Sequence, residues 1–159
     1  MTNGRKLTLT HELERCHMAL LSDEVQEQVR TLWADLEKPV TFHFHPRPGD
    51  SASDAMENLL GELADLSPQL SVRRHEGMAD PLPPETASEM VSSVASISVD
   101  DAPTGVRFLG FPGGHEFGTM VHMVRSVSRG EPPAVSPETA AAIRALTTPL
   151  HLQVFVTYT

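Results

Sequence analysis

A chain of 159 residues, 40% hydrophobic and 21% charged, is long enough to close one well-formed core. Its net charge of −9 argues against nucleic acid or an anionic membrane surface as a partner, because both reward clustered Lys and Arg. No apolar run approaches a membrane-spanning helix, the N-terminus lacks the apolar centre of a secretory signal, and the single cysteine, Cys16, rules out an intrachain disulfide, so the sequence reads as cytoplasmic.

In chain order, a short helix is expected around Leu13, Cys16, Met18, Leu20 and Leu21. From Ser22, an N-cap with two acids behind it, Val25, Val29, Leu32, Trp33 and Leu36 recur at helical spacing and predict an amphipathic helix. "VTFHFH", residues 40–45, alternates and predicts a strand, with Val40, Phe42 and Phe44 on one side and Thr41, His43 and His45 on the other. After the turn "PRPGDS", Met56, Leu59, Leu60, Leu63 and Leu66 predict a second helix, and "QLSVRR" a short strand. A Pro/Gly-rich loop over 77–84 and a weak helix over 85–91 follow. "VASISV" and "VRFLGF" read as a hairpin joined by the turn "DDAPTG". Gly113 and Gly114 lead into a helix with Phe117, Met120, Val121, Val124 and Val127 on its apolar face. A last helix starts at Ser136 and Pro137 with Ile143 and Leu146 inward, and "HLQVFVTYT" reads as a strand with one buried face.

Strand-helix-strand, then a hairpin and a closing helix, predicts an α/β fold: a central mixed sheet with helices on both faces, the thioredoxin-like arrangement. It is complete by about Ser128. The helix from Pro137 and the final strand repeat its opening, which predicts three parts: an N-terminal extension over 1–21, a thioredoxin-like unit over 22–130, and the start of a second unit over 131–159.

Four sets of residues invite a chemical reading. Arg15 and His17 beside Cys16 would lower a thiol pKa, but no resolving thiol exists and a buried inert cysteine is the commoner case. His43 and His45 at i, i+2 can reach one metal ion if His75 or Asp50 supplies a third ligand; the plainer reading is polar positions on a half-covered sheet. His115 and Glu116 resemble an acid–base pair, yet a structural turn is the more economical account. Gly113 and Gly114 at a helix start could cradle an anion, without a basic residue nearby to support it.

"GVRFLGFPGGHEF" (105–117), "VSRG" (127–130) and "LQVFVT" resemble the tandem-thioredoxin protein disulfide oxidoreductases, also called glutaredoxin-like proteins, and the N-terminal domain of the F subunit of alkyl hydroperoxide reductase. The motif is carried by Gly105, Arg107, Gly110, Pro112, Gly114, His115, Glu116 and Phe117; "LEKPVTF" and "LLGELADLSPQLSV" extend the likeness. The resemblance implies two fused units, the second with a Cys-Pro-x-Cys motif after the strand that reads "VFVT" here, where this chain stops. Some members also carry Cys-x-x-Cys in the first unit. The corresponding loop here is "GDSASD", with Ser51 and Ser53 near the cysteine positions, and Ser93 is the best match to the cis-proline that faces an active dithiol.

A serine hydroxyl forms no disulfide, so these substitutions abolish thiol exchange and spare the fold. The first unit of the reductase's F subunit, likewise without cysteines, is the nearer model. The resemblance thus implies a redox-inactive unit with no cofactor and no catalytic residue of its own. Its implied partners are a second thioredoxin-like unit and, through it, a flavoprotein reductase or a peroxiredoxin. An exposed apolar patch is expected around the helix from Pro137 and the last strand. Two alternatives stand beside this reading: a complete, free-standing binding module on the same fold, and a histidine metal-binding domain.

Overall fold

The computed structural model describes residues 19–76, 91–132 and 134–150. They form α1 (Asp23–Leu32), β1 (Val40–Pro46), α2 (Ser51–Ala64), β2 (Leu70–Arg74), β3 (Ser93–Val99), β4 (Ala102–Leu109), α3 (His115–Arg129) and α4 (Pro137–Arg144). The four strands make one sheet in the order β2-β1-β3-β4, parallel between β1 and β2 and antiparallel elsewhere. This is the expected mixed sheet of a thioredoxin-like α/β fold.

Strand alternation gives the sheet two unlike faces. Val40, Phe42 and Phe44 stand opposite Val99, Ile97 and Ala95, with Leu70 and Val72 beside them on β2 and Phe108 on β4. All of these belong to a single core, which Val29 and Trp33, Met56, Leu59, Leu60 and Leu63, and Met120, Val121 and Val124 complete from the helical side. Phe42 and Phe44 are fully buried. The other face carries Thr41, His43 and His45, flanked by Ser71 and Arg73 on β2 and by Ser96 and Ser98 on β3, and none of these enters that core. Of the cover expected on both faces, the helices that share the core, α1 to α3, supply one.

Local signals explain the helices. Ser22 Oγ accepts from Val25 N at 3.3 Å to start α1, and Trp33, just past its end, donates Nε1–H to the Val121 carbonyl at 3.0 Å. This buried bond fixes α1 against α3. Ser128, fully buried on α3, accepts from Glu37 N and Lys38 N and donates to Lys38 O at 2.8 Å, which ties α3 to the approach of β1. Arg125 and Arg129 clasp Asp35 at 2.6 and 3.0 Å, and the Arg125 hydrogen bond holds the Asp35 carboxyl below its usual pKa.

The hairpin departs from expectation. Its turn is only Asp100 and Asp101, with φ of 50° and 61°, since Val99 already pairs with Ala102. A two-residue loop that matches strand twist needs positive φ at both positions, and Asp tolerates that region. The strand expected over 106–111 therefore begins at Ala102 and ends at Leu109. Pro103 is accommodated because β4 is an edge strand among the described residues, and the register slips between Ser96 and Ser98, where Thr104 Oγ1 donates to Ile97 O at 2.7 Å.

The helix from Pro137 forms as expected, with Ser136 Oγ accepting from Thr139 N at 3.1 Å, but Ile143 and Leu146 do not point into a core. They are 55% and 51% exposed, and Val135 and Leu150 are exposed with them, while the last strand's share of the expected apolar patch lies outside the described residues. No described element packs over them closely enough to bury these side chains. The final strand, the loop over 77–84 and Cys16 lie outside the described residues, as does most of the helix expected around Leu13–Leu21; Leu20 and Leu21 themselves are not helical, nor is Val91.

Candidate functional site

Of the residues singled out as site positions, Ser51 and Ser53 lie where β1 hands over to α2, and Ser93 lies opposite the end of β1. Asp50 is the N-cap of α2: its Oδ1 accepts from Ala52 N at 2.9 Å and from Ser53 N at 3.1 Å. These are two of the amides that a helix start leaves without intrahelical partners. Ser51 is the first helical residue and is exposed, whereas Ser53 is 1% exposed and its Oγ accepts from Arg47 N at 3.0 Å. Ser93 opens β3 directly opposite Pro46, and its carbonyl accepts from Gly110 N at 2.8 Å. Its side chain is fully buried, and its Oγ has no hydrogen-bond partner among the described residues.

Ser53 and Ser93 therefore both meet the end of β1, at Arg47 and Pro46, while Ser51 points away. Two positions three apart flank the helix start, Asp50 and Ser53. The sequence named Ser51 and Ser53 for the cysteine positions and Asp50 only as a possible metal ligand, although an Asp ahead of a periodic apolar run is an N-cap signal.

The stretch from Gly105 to Phe117 builds the entry into α3. Gly110 has φ +91°, and a Cβ there would sit 3.4 Å from Ser92 Oγ. Gly114, at φ 55° and ψ −123°, occupies a region that side chains other than glycine's avoid, and it is the N-cap of α3 with no side-chain cap bond. Pro112 is buried, Phe117 packs on the core, His115 is exposed, and Gly105 and Arg107 lie on the exposed edge strand. Glu116 N closes a turn onto Gly113 O at 3.1 Å, and burial raises the Glu116 carboxyl above its ordinary pKa. Beside this entry, Leu21, Val25, Leu59, Phe111 and Phe117 line a shallow apolar groove.

The histidines lie on the polar sheet face. His43 Nδ1 is 3.0 Å from His75 Nε2, and its Nε2 is 2.9 Å from Ser98 Oγ. His45 stacks on His75 with centroids 4.6 Å apart and planes 10° apart. Burial first, then the neighbouring His75, keeps the His43 pKa below the ordinary histidine value. Asp50, considered as a third metal ligand, is committed to capping α2, and among the described residues no group of three His, Cys, Asp or Glu side chains is placed to hold a metal ion. His75, considered in the sequence as a ligand beside His43 and His45, does come next to them, but as a direct ring-to-ring contact set by the parallel register of β1 and β2.

With this geometry in view, similarity to known proteins becomes informative. No family model matches the chain. Over 142 residues it is 28% identical to the F subunit of alkyl hydroperoxide reductase from Staphylococcus aureus strain NCTC 8325, covering 88% of this chain and 25% of that protein. The chain is similar to this reductase's F subunit. The Staphylococcus epidermidis protein of the same name is 26% identical over the same length, so the chain spans about a quarter of the relatives it matches.

Among solved structures, the N-terminal domain of the F subunit of the Enterococcus faecalis alkylhydroperoxide reductase superposes with a TM-score of 0.63 at 23% identity, covering 79% of this chain and 61% of that one. A protein disulfide oxidoreductase from Aeropyrum pernix K1 gives 0.60 at 18%, covering 79% and 55%. The thioredoxin-like fold is shown by these likenesses, and both families suspected from the motif are among the relatives. No described helix is long and apolar enough to cross a membrane.

Proposed function

We propose that the chain is a redox-inactive, first thioredoxin-like unit of a two-unit thiol–disulfide oxidoreductase, with a structural and partner-docking role in cell redox homeostasis. The observation that carries this reading is the start of α2. Where a thioredoxin-like unit holds its dithiol, the chain has Asp50 and Ser53, an i, i+3 pair with the spacing of Cys-x-x-Cys, and its one cysteine, Cys16, lies far earlier in sequence. A thiolate at such a place is stabilised by the helix-start amides. Here the Asp50 carboxylate takes two of them, so the local electrostatics are kept and the sulfur chemistry is gone.

On this reading residues 22–130 are the unit, 1–21 an extension, and 131–159 the beginning of a second unit, in a cytoplasmic parent protein. The second unit is the partner for the apolar side chains of α4, Ile143 and Leu146, and the flavoprotein reductase or peroxiredoxin partners act through it. The similarity to the F subunit of alkyl hydroperoxide reductase supports this placement over a free-standing module.

The chain incubated with dithiothreitol and an insulin disulfide substrate tests the reading. It should leave the rate of disulfide reduction at the uncatalysed value. Acceleration that Cys16→Ser abolishes would overturn it, because Cys16 is the only thiol in the sequence and would then be a working redox group.

A further inference from the structure

We propose that His43 and His75 form an acid-sensitive latch that closes the seam between the edge strand β2 and its neighbour β1. Among the described residues β2 pairs with β1 alone, and the ladder is continued past β2 by His75 N donating to Phe44 O at 2.8 Å. The side chains add the Nδ1 to Nε2 contact of 3.0 Å just beyond the last paired residues.

Two facing imidazole nitrogens can bond only if one carries hydrogen and the other a lone pair. A pair holding no extra proton or one extra proton meets that condition. A doubly protonated pair does not: both facing nitrogens then carry hydrogen, and two positive charges stand 3 Å apart. The bond must break, and the rings must separate.

The surroundings oppose the second proton. On β1 the neighbour is His45, stacked on His75; β2 adds Arg73, directly opposite His43 in the register. β3 presents Ser96 and the hydroxyl of Ser98, which hold no charge, and Arg107 of β4 stands across Ser96. The β3–β4 turn supplies the one described carboxylate near His43, Asp101, and it is paired to Arg73 at 3.3 Å. α2 and α3 pack on the opposite, apolar face.

The direction of the His43 shift agrees. A histidine with a folded pKa below its unfolded value near 6.5 contributes its full stabilisation above that pH and loses it as the pH falls toward the folded value. Mild acidification therefore loosens the β2 edge, and neutral pH closes it.

The test is the pH dependence of the 159-residue chain and of His43→Gln and His75→Gln. Between pH 7.5 and pH 5.5 the unaltered chain should lose roughly 3 °C more in melting temperature than either variant. The imidazole resonances of His43 should titrate below pH 6.5, and the His75 amide, corrected for intrinsic exchange, should exchange on the order of ten times faster at pH 5.5 than at pH 7.5. Equal pH losses in the unaltered chain and the variants, or a His43 ring titrating at or above 6.5, would overturn the latch. If a variant does not fold, the ring titration of the unaltered chain decides alone.

Discussion

The apolar face of the sheet and the start of α2 sit in the same fold and are built to different specifications. The face is filled without a break by Phe42, Phe44, Ile97, Met56, Leu60 and Met120, each at most 1% exposed. The helix start is assembled from small polar groups: Asp50 on two amides, Ser53 receiving one, and Ser93 buried with its hydroxyl unpartnered among the described residues. The core specifies the fold and contains no cysteine among its residues. On the reading proposed above, the chemistry of an active unit would rest on a few atoms at one helix end, where exchanging sulfur for oxygen leaves the strands undisturbed.

The comparison can be broken first at the core. Phe42→Ala removes a fully buried ring from the sheet centre and should cost about 3–5 kcal/mol by urea denaturation; a loss under about 1 kcal/mol would mean that the face is not the foundation described. Asp50→Ala should cost about 1 kcal/mol, since two helix-start amides lose their acceptor, with Asp50→Asn recovering most of it. Smallest is Ser93→Ala, which should be neutral or slightly stabilising, because no bond is lost and a desolvated hydroxyl is removed. A loss above about 1 kcal/mol there would reveal a partner for Ser93 Oγ and a better-satisfied helix start than the structure shows.

Much of the fold was legible because periodicity reports burial directly. The run Met56, Leu59, Leu60, Leu63 and the alternation Val40, Phe42, Phe44 each name their own buried face. The hairpin was harder. Positive φ at Asp100 and Asp101 leaves little trace in sequence, and Pro103 and Gly105 resemble turn residues although they lie in an irregular edge strand. Ile143 and Leu146 have a helical spacing that says one face is apolar but does not say what covers it. At the candidate site, Ser53 and Ser93 could be named from the resemblance, and Asp50 carries an N-cap signal in the sequence. That His43 and His75 meet ring to ring, with Asp50 turned to the helix instead of joining them, depends on strand register and cap geometry.

The most direct measurement returns sulfur to the helix start. In the double variant Asp50→Cys, Ser53→Cys, thiols are counted under denaturing conditions after reduction and again after mild oxidation. The account predicts that the three thiols, Cys16 included, fall to one in a monomer that still melts cooperatively, because the scaffold keeps the i, i+3 geometry of a dithiol. Three thiols that persist through oxidation in a folded monomer would contradict it and show that the start of α2 is not a dithiol site that has lost only its sulfur.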